Sequence, residues 1–587
     1  MGLAWGLRRP GDIISRPLPA HLAGIHSKPS IATSATKSEG IGSTQRSMTS
    51  SSFSSIPKVI KYGSGKDAHV ELVPQPSDDP EDPLNWPRWR KDLNLLSLLV
   101  MAGLVGGMKT VFISTAGSLS VHYRVSNTAI AALTAVPLVL SAVTGLICSV
   151  VAKFKGKRPV YLVSTLLLLI GTLWNMAAGD HYGSCLGARI FQGLGWGAFD
   201  VLVMASIQDT YFEHERNLPV SVCSIMTISA TWGSPLLGGL ASRDAGTFTK
   251  QFRIINGFYL LALPLLLFGA PETTFDRSRA VITPLPVPGL DAWRPWRLRH
   301  RLNRENALAY LRKMKPLSFK APLTLSRALQ APRALVAPTT CLLVVLTFVP
   351  FGALWGLTTS ISVLTTPAPL SADAALAGVL MTGPWIFAAL CVGGFSFYRG
   401  LYERFTRRVS GLILMTGSLL VLTGLLSYGL GIHNFMTNNP TPSSPIFSTS
   451  AGEQVSLPLL SLQLGILAGG AYILDTTTRP FVARSASFTS SSISLAHRSI
   501  GDMQCGVVLL RNFAAGIFVL SMPSALTFYG GLKAAAIGLG TTQVLITGVI
   551  LVVWRFYEEA IWRADGLVMN LLDMRLMKES ASFFETD

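Results

Sequence analysis

Near-uncharged apolar windows recur along this chain, each long enough for the roughly 20 residues that a helix needs to cross the hydrocarbon core of a bilayer. They fall at about 93–119, 128–151, 160–179, 185–207, 220–241, 254–269, 334–361, 374–397, 411–431, 457–477, 504–526 and 534–554. No soluble core could hide them all. The 587 residues are 49% hydrophobic and only 14% charged, with a mean hydropathy of +0.44, which is a membrane composition. Lipid offers no hydrogen bonds to open backbone, so the expectation is an all-α polytopic membrane protein whose Gly- and Pro-broken stretches face protein or a cavity.

The net charge of +18 could suggest nucleic acid, but its distribution argues against such a partner. Basic residues concentrate in alternate loops: Lys153-Phe-Lys-Gly-Lys-Arg158, 271–333, 399–408 and 479–498. The other loops are poor in Lys and Arg apart from Arg243, Lys250 and Arg253, and 434–456 is polar and Pro/Ser-rich. The positive-inside bias puts the basic side, and with it both termini, in the cytoplasm. The spans then divide six and six around a long loop, the layout of two bundles that can rock against each other.

This gives a domain plan. Residues 1–92 form a disordered cytoplasmic tail ending in an interfacial anchor, where Trp86 and Trp89 sit beside basic residues. A superficial likeness of the early Arg- and Ser-rich stretch to a transit peptide is the weaker reading. A first bundle spans 93–270, and a cytoplasmic linker covers 271–333, with an in-plane amphipathic helix at Arg304–Met314 that aligns Leu308, Leu311 and Met314 on one face. The second bundle spans 334–556, interrupted at 478–500 by a Ser-rich run expected as a cytoplasmic loop of low order, and 557–587 is a cytoplasmic tail. The six cysteines lie in or at the edges of spans without CxxC spacing, so neither a disulfide framework nor a metal site is expected. Signatures for ATP binding, zinc proteolysis and serine hydrolysis are missing, so no cofactor and no enzyme is expected.

Ionised groups inside spans carry the functional signal, because each costs about 2.5–3.5 kcal/mol at the bilayer centre on insertion scales. Arg189 and Asp200 lie on one apolar span. Eleven residues apart, they point to nearly the same side at depths about 16 Å apart. Desolvation favours a protonated carboxyl and a nearby cation favours the carboxylate, so small rearrangements can load or release a proton at Asp200. The alternative is a fixed pair that only holds helices together. Lys109 is read as snorkelling toward the outer interface. Asp475, near the cytoplasmic end of the tenth span, and Arg511, about two turns inside the eleventh, form either a cytoplasmic gate or a stabilising pair. Trp196, Trp232, Trp355 and Trp385 are candidates for lining a hydrophobic pocket. In the fifth span, Pro235 with Gly233, Gly238 and Gly239 suggests a hinge.

At these residues the chain resembles the major facilitator superfamily, in particular fungal-type twelve-span drug and metabolite transporters, over about 82–563. Ala188-Arg189-Ile-Phe-Gln192-Gly193-Leu-Gly195 is similar to the fourth-helix motif, and the resemblance implies a proton-coupling role for Arg189 and a cavity position for Gln192. Trp232-Gly-Ser-Pro-Leu-Leu-Gly-Gly239 resembles the fifth-helix antiporter motif, with Ser234 where Gly is usual, and implies export. Asp82-Pro-Leu-Asn-Trp86, Asp209 with Glu213-His-Glu-Arg-Asn217, Pro271-Glu-Thr-Thr-Phe-Asp-Arg277, Tyr472-Ile-Leu-Asp475, Gly501-Asp-Met503 and Leu510-Arg-Asn512 are further similar pieces. The loop Lys153–Arg158 with Gly156 matches the gate motif after the second helix, except that Lys153 replaces an acid. The Tyr472 and Gly501 pieces stand farther apart than in the family, so the intervening run is an insertion or a retained intron.

The resulting expectation is a proton-coupled exporter of small amphipathic organic molecules, working by alternating access as a monomer in the plasma membrane or an endomembrane. Its partners would be a small-molecule substrate, protons and the bilayer. An importer of a nutrient or organic acid, or a non-transporting membrane sensor, are the competing readings.

Overall fold

Each apolar window closes its backbone hydrogen bonds internally as helix, as hydrocarbon requires. The computed structural model describes residues 61–571 except 64–68, 78, 80, 180, 243–248, 278–303, 305–307, 309, 311–313, 323, 367–372, 398–406, 439–455, 490–492 and 529–530. In chain order the helices are α1 (Arg88–Lys109), α2 (Ala116–Tyr123), α3 (Asn127–Lys155), α4 (Lys157–Ala177), α5 (Tyr182–Thr210), α6 (Asn217–Ser242) and α7 (Thr249–Gly269). After the linker come α8 (Leu325–Val336), α9 (Pro338–Thr365), α10 (Ala374–Val379), α11 (Thr382–Phe397), α12 (Arg407–Asn438), α13 (Leu457–Thr489), α14 (Ile493–Phe528) and α15 (Gly531–Val568). Among the described residues twelve helical segments have the length and hydropathy to span a membrane, with α10 and the next helix joined in one span, Ala374–Ser396.

Two helical bundles result. In the first, α5 packs between α3 and α4, and α1 lies against α6 and α7; in the second, α13 packs on α12 and α11, and α15 on α12 and α9. The bundles meet where α3 contacts α14, where α6 contacts α10 and α11, and where α2 contacts α9. The end carrying Lys153, Glu272 and α8 is called the linker end below; Ser242 at the end of α6 and Ala374 at the start of α10 lie toward the far end.

The first window is not one continuous helix. α1 stops at Lys109 and the chain turns through Thr110–Thr115 before α2 begins. Thr110 Oγ1 donates to the Thr231 carbonyl at 2.7 Å and bonds the Ser234 hydroxyl at 2.8 Å, so α6 secures the turn.

The Ser-rich run expected as a loop is mostly helical. α13 continues through Pro480 to Thr489, and α14 begins at Ile493. The hydroxyls return to their own helix, Thr478 to Asp475, Ser487 to Arg484 and Thr489 to Ser485. They thus reduce the polar cost of the segment. On the inner face, Phe481 stacks on Trp554 with ring centroids 4.0 Å apart. The run was misread because its Ser content masked a helical stripe of Phe481, Val482, Ser485, Ala486 and Thr489, all buried.

Ser485 meets a second group. Asp565, on α15 and 1% exposed, accepts from Ser485 Oγ at 2.5 Å, from the Thr339 amide at 2.9 Å, and from the Thr339 hydroxyl. Thr339 is in the first turn of α9, whose amides lack intrahelical acceptors, so this carboxylate caps a helix from outside it.

Trp86 is covered by protein instead of presented as a headgroup anchor, whereas Trp89 is half-buried. Trp86 is 2% exposed, with the Arg90 guanidinium 3.9 Å from its ring centroid, and Trp89 packs edge-on to Tyr310 of the linker at 5.4 Å. The sequence showed indoles beside cations at a span boundary, but not the linker that packs against Trp89. Of the amphipathic helix expected at Arg304–Met314, Arg304, Leu308 and Tyr310 are helical, Met314 is not, and the remainder lies outside the described residues, as do 1–60 of the tail and 572–587.

Replacing Asp565 with Ala should lower the thermal midpoint of the detergent-solubilised protein, corresponding to a loss of about 1–3 kcal/mol for the orphaned Thr339 and Ser485 donors; Asp565→Asn should lose less. Differential scanning of the purified variants is the check.

Candidate functional site: a charged seam between the bundles

α5 builds the seam from one stripe. Arg189, Gln192, Trp196 and Asp200 stand at i, i+3, i+7 and i+11, on nearly one helix face. Gly197 allows the close approach behind it, since a Cβ there would strike the Gly145 backbone on α3.

Arg189 is fully buried. Its Nε donates to the Leu133 carbonyl at 2.8 Å, and Nη1 donates to the Met108 carbonyl at 3.0 Å and Gln192 Oε1 at 2.6 Å. The Met108 carbonyl is free to accept because α1 ends one residue later. Trp196 and Phe112 present their ring faces to the guanidinium, at 4.9 and 5.1 Å.

Asp200 takes its ion-pair partner from α1. Lys109 Nζ lies 2.5 Å from Asp200 Oδ1, and Asn512 Nδ2 of α14 donates to Oδ2 at 2.8 Å. The carboxylate is therefore held by both bundles at once. This corrects two expectations. Lys109 does not snorkel outward, because its helix terminates there and the side chain turns inward to the acid; and Arg189 bonds carbonyls, Gln192 and ring faces while its Nη2 has no hydrogen-bond partner among the described residues, so it is not the ion-pair partner of Asp200.

In the second bundle Arg511 Nη1 pairs with Asp475 Oδ1 at 2.5 Å. The pair does not sit at the linker end as expected. α13 runs fourteen residues beyond Asp475 to Thr489, about 20 Å along the axis, so the pair is in mid-helix and is no end gate. Arg511 also lies over Phe351 at 4.4 Å. Side-chain exposures of 30% for Asp475 and 19% for Arg511 mean that neither group is sealed in packing.

Aromatic side chains join the halves beside these charges. Trp232 Nε1 on α6 donates to the Tyr472 hydroxyl on α13 at 2.9 Å, and Trp232 and Trp355 have ring centroids 5.1 Å apart. Phe351 meets Tyr472 edge-on at 5.2 Å. Trp385 packs against Gly233, where an added Cβ would lie 3.5 Å from the indole.

The far end closes through the α6 stretch that suggested a hinge. α6 stays helical through Pro235. A Cβ on Gly239 would collide with the Ala374 carbonyl, and one on Gly378 with the Pro235 carbonyl. Gly238 offers its carbonyl to Gln251 Nε2 at 3.0 Å. Backbone-to-backbone contact of this kind is available only to small residues.

At the linker end Lys153 Nζ contacts Asp502 of α14 at 2.8 Å and Gln330 of α8 at 3.3 Å. A base on the first bundle and an acid on the second thus restore, with reversed sign, the contact that an acid at 153 would have made. Gly156 has φ +91°, and a Cβ there would run into the Glu272 carboxylate. That carboxylate accepts the first amides of α4, Lys157 at 2.9 Å and Arg158 at 3.0 Å. Arg158 itself makes no cross-bundle contact: Nη1 and Nη2 cap the end of α7 at the Ala270 and Leu267 carbonyls, at 2.6 and 2.9 Å. Nearby, burial pushes the Tyr310 phenol up to about 12, partly countered by Arg90 and Arg158, so it stays neutral.

Several cross-bundle groups were missed, among them the Gln208 and Gln504 amides, 3.2 Å apart. Asn512 stood only inside the family-like piece Leu510-Arg-Asn512, and as a neutral side chain next to Arg511 it gave no signal of its own. Arg479 Nη2 reaches Ser224 Oγ on α6 at 3.2 Å, and it was hidden by being assigned to the Ser-rich loop.

Residues 98–501 match the pattern of the Major Facilitator Superfamily. The chain belongs to the major facilitator superfamily. The twelve candidate spans among the described residues agree with that membership. It is 29% identical over 218 residues to an uncharacterized MFS-type transporter, C1271.10c, of Schizosaccharomyces pombe, covering 37% of each chain. It is 29% identical over 235 residues to Protein HOL1 of Saccharomyces cerevisiae, covering 39% of this chain and 38% of that one. With the MFS transporter cpaT of Aspergillus oryzae it shares 25% identity over 333 residues, 52% of this chain and 61% of the relative. The matches thus span less than two thirds of these relatives' own lengths.

If the reversed clasp holds this facilitator shut at the linker end, Lys153→Asp and Asp502→Lys should each speed hydrogen exchange in the facing ends of α3 and α14. The double exchange should bring it back toward wild type. Mass-spectrometric hydrogen exchange in nanodiscs reads both.

Proposed function

We propose that this transporter exports small amphipathic organic molecules in exchange for protons, with Asp200 as the proton-carrying group. The single observation that carries the reading is that Asp200 is held by Lys109 of one bundle and Asn512 of the other. An ionised carboxylate accepts from both. Protonation removes the charge, which frees Lys109 within the first bundle and turns the Asn512 bond across the bundles from a charge-assisted into a weaker neutral hydrogen bond, so the cross-bundle grip weakens. A proton then biases the equilibrium between arrangements of the halves, which is what coupling requires. Arg189 acts in this scheme through the end of α1: by binding the Met108 carbonyl it fixes where Lys109 stands.

The tight α6–α10 contact at Gly239 and Gly378 supports a role for this stretch as the far-side seal, with Pro235 softening the helix behind it. The aromatic group of Trp232, Trp355, Phe351 and Tyr472 suits an amphipathic cargo. The positive-inside bias makes the linker end cytoplasmic, and the protein works as a monomer in the plasma membrane or an endomembrane.

One observation favours a second reading, uptake of an organic acid together with a proton. Around the seam stand Lys109, Arg189, Arg479 and Arg511 against Asp200 and Asp475, an excess of positive charge. The direction of proton-driven flux in oriented vesicles separates the two.

Asp200→Asn should fold, keep the Asn512 contact through its amide oxygen, and lose proton-driven transport by two orders of magnitude or more, on the order of what removing an essential proton-transfer group costs. Proteoliposome flux of a labelled compound panel, with and without an imposed pH gradient, measures it; undiminished coupling in the variant would falsify the assignment.

A further inference from the structure

Two arginines at the seam, Arg189 and Arg479, pair with no carboxylate among the described residues; Arg189 is fully buried inside the first bundle, whereas Arg479 is half-buried and open to an incoming group. Arg479 follows Asp475 by one helical turn on α13, and Asp475 is already taken by Arg511. Its guanidinium crosses to the other bundle, where it meets a hydroxyl, Ser224 Oγ at 3.2 Å, and a thioether, Met204 Sδ at 4.0 Å. No carboxylate among the described residues pairs with it. A guanidinium partly withdrawn from water and held by neutral acceptors is poorly compensated, and an incoming anion would gain more there than at an exposed arginine.

Its position adds a second constraint. Tyr472, Asp475 and Arg479 fall at i, i+3 and i+7, so they share one face of α13. Tyr472 belongs to the aromatic group with Trp232 and Phe351. The face therefore runs from an aromatic patch to an uncompensated cation over about 10 Å. That is the length of a fused-ring or phenylalkyl body ending in an acid group.

We infer that Arg479 is the receiving residue for the anionic end of the cargo, and that the substrate class is an aromatic or otherwise amphipathic organic anion, such as a carboxylate. This deepens the carrier reading and rests on it for the word cargo, although binding itself does not depend on the direction of flux. The assignment also links loading to gating. Ser224 and the ligand anion compete for the same guanidinium, and the Arg479–Ser224 bond joins the two bundles. An anion that takes Arg479 removes that tie, and the bundles lose one of the contacts, with Lys153–Asp502 and the Gln208–Gln504 amide pair at 3.2 Å, that hold the linker side together.

The test is equilibrium binding to the full-length protein in nanodiscs, with three probes of one shape: 1-naphthoate, 1-naphthylmethylammonium and the neutral 1-naphthalenemethanol. Naphthoate is expected to bind at least about tenfold tighter than the other two. Arg479→Gln should remove that preference, and Arg479→Lys should keep part of it. Ser224→Ala removes only the neutral competitor and should tighten naphthoate by roughly two- to tenfold, an outcome that a purely structural Arg479–Ser224 bond would not produce. The inference is overturned if the ammonium probe binds as well as naphthoate, or if Ser224→Ala leaves naphthoate unchanged or weaker; the second result stands even where Arg479→Gln does not fold. Proton-driven flux of the compound panel tests the carrier reading separately, so either can fail without the other.

Discussion

A carboxylate at the depth of the hydrocarbon persists only where the protein supplies what water would have given it. Asp200 receives a cation from α1 and an amide from α14, and the rest of the seam follows from that arrangement. α1 has to end at Lys109 for the ammonium to turn inward, and its ending exposes the Met108 carbonyl that Arg189 then occupies. Trp196 lies between the two cations, 4.9 Å from the Arg189 guanidinium and 5.9 Å from Lys109 Nζ. The stripe on α5 is thus one connected unit, and its outermost member is shared with the opposite bundle.

The two ends of the bundle interface are held by different physics. At the far end, glycines let backbones touch, at Gly239 against Ala374 and Gly378 against Pro235, beside uncharged hydrogen bonds from the Gly117 amide to Ser362 Oγ and between the Thr128 and Ser524 hydroxyls. Such contact is short-ranged and indifferent to salt. At the linker end the ties are polar and charged: Lys153 to Asp502, Gln208 to Gln504, and Arg479 to Ser224. These can exchange partners with water, ions or a ligand at low cost. A molecule approaching from the linker end meets bonds that can be replaced one at a time, whereas the far end separates only when helices move as bodies. This asymmetry is what two rocking bundles need if one mouth is to open while the other stays shut.

Much of this was legible in the sequence. Twelve spans followed from length and hydropathy alone, because hydrocarbon admits few alternatives to a helix. Arg189, Asp200, Asp475 and Arg511 stood out for the same reason. Their pairings did not, since periodicity says which face a residue occupies but not which helix it faces. Lys109 was misplaced because snorkelling presumes a helix that continues, and the turn at Thr110–Thr115 has no Pro or Gly to announce it. The Ser-rich run was taken as loop since its hydroxyls look solvated; in the structure they bond to their own helix, and Ser485 meets Asp565, eighty residues away. Gly156 stands in the gate motif, yet the partner that requires a glycine there, Glu272, comes from a stretch quoted only for its likeness to the family.

The central claim is that the charge on Asp200 sets the relation between the two bundles. Its most direct test is the distance between spin labels placed on the linker ends of α3 and α14, measured by pulsed electron resonance in nanodiscs across a range of pH. The account predicts that acid shifts the distribution toward longer separations, and that Asp200→Asn shows the acid-side distribution at every pH. A wild-type distribution that ignores pH, or one that shifts equally in the variant, would contradict it.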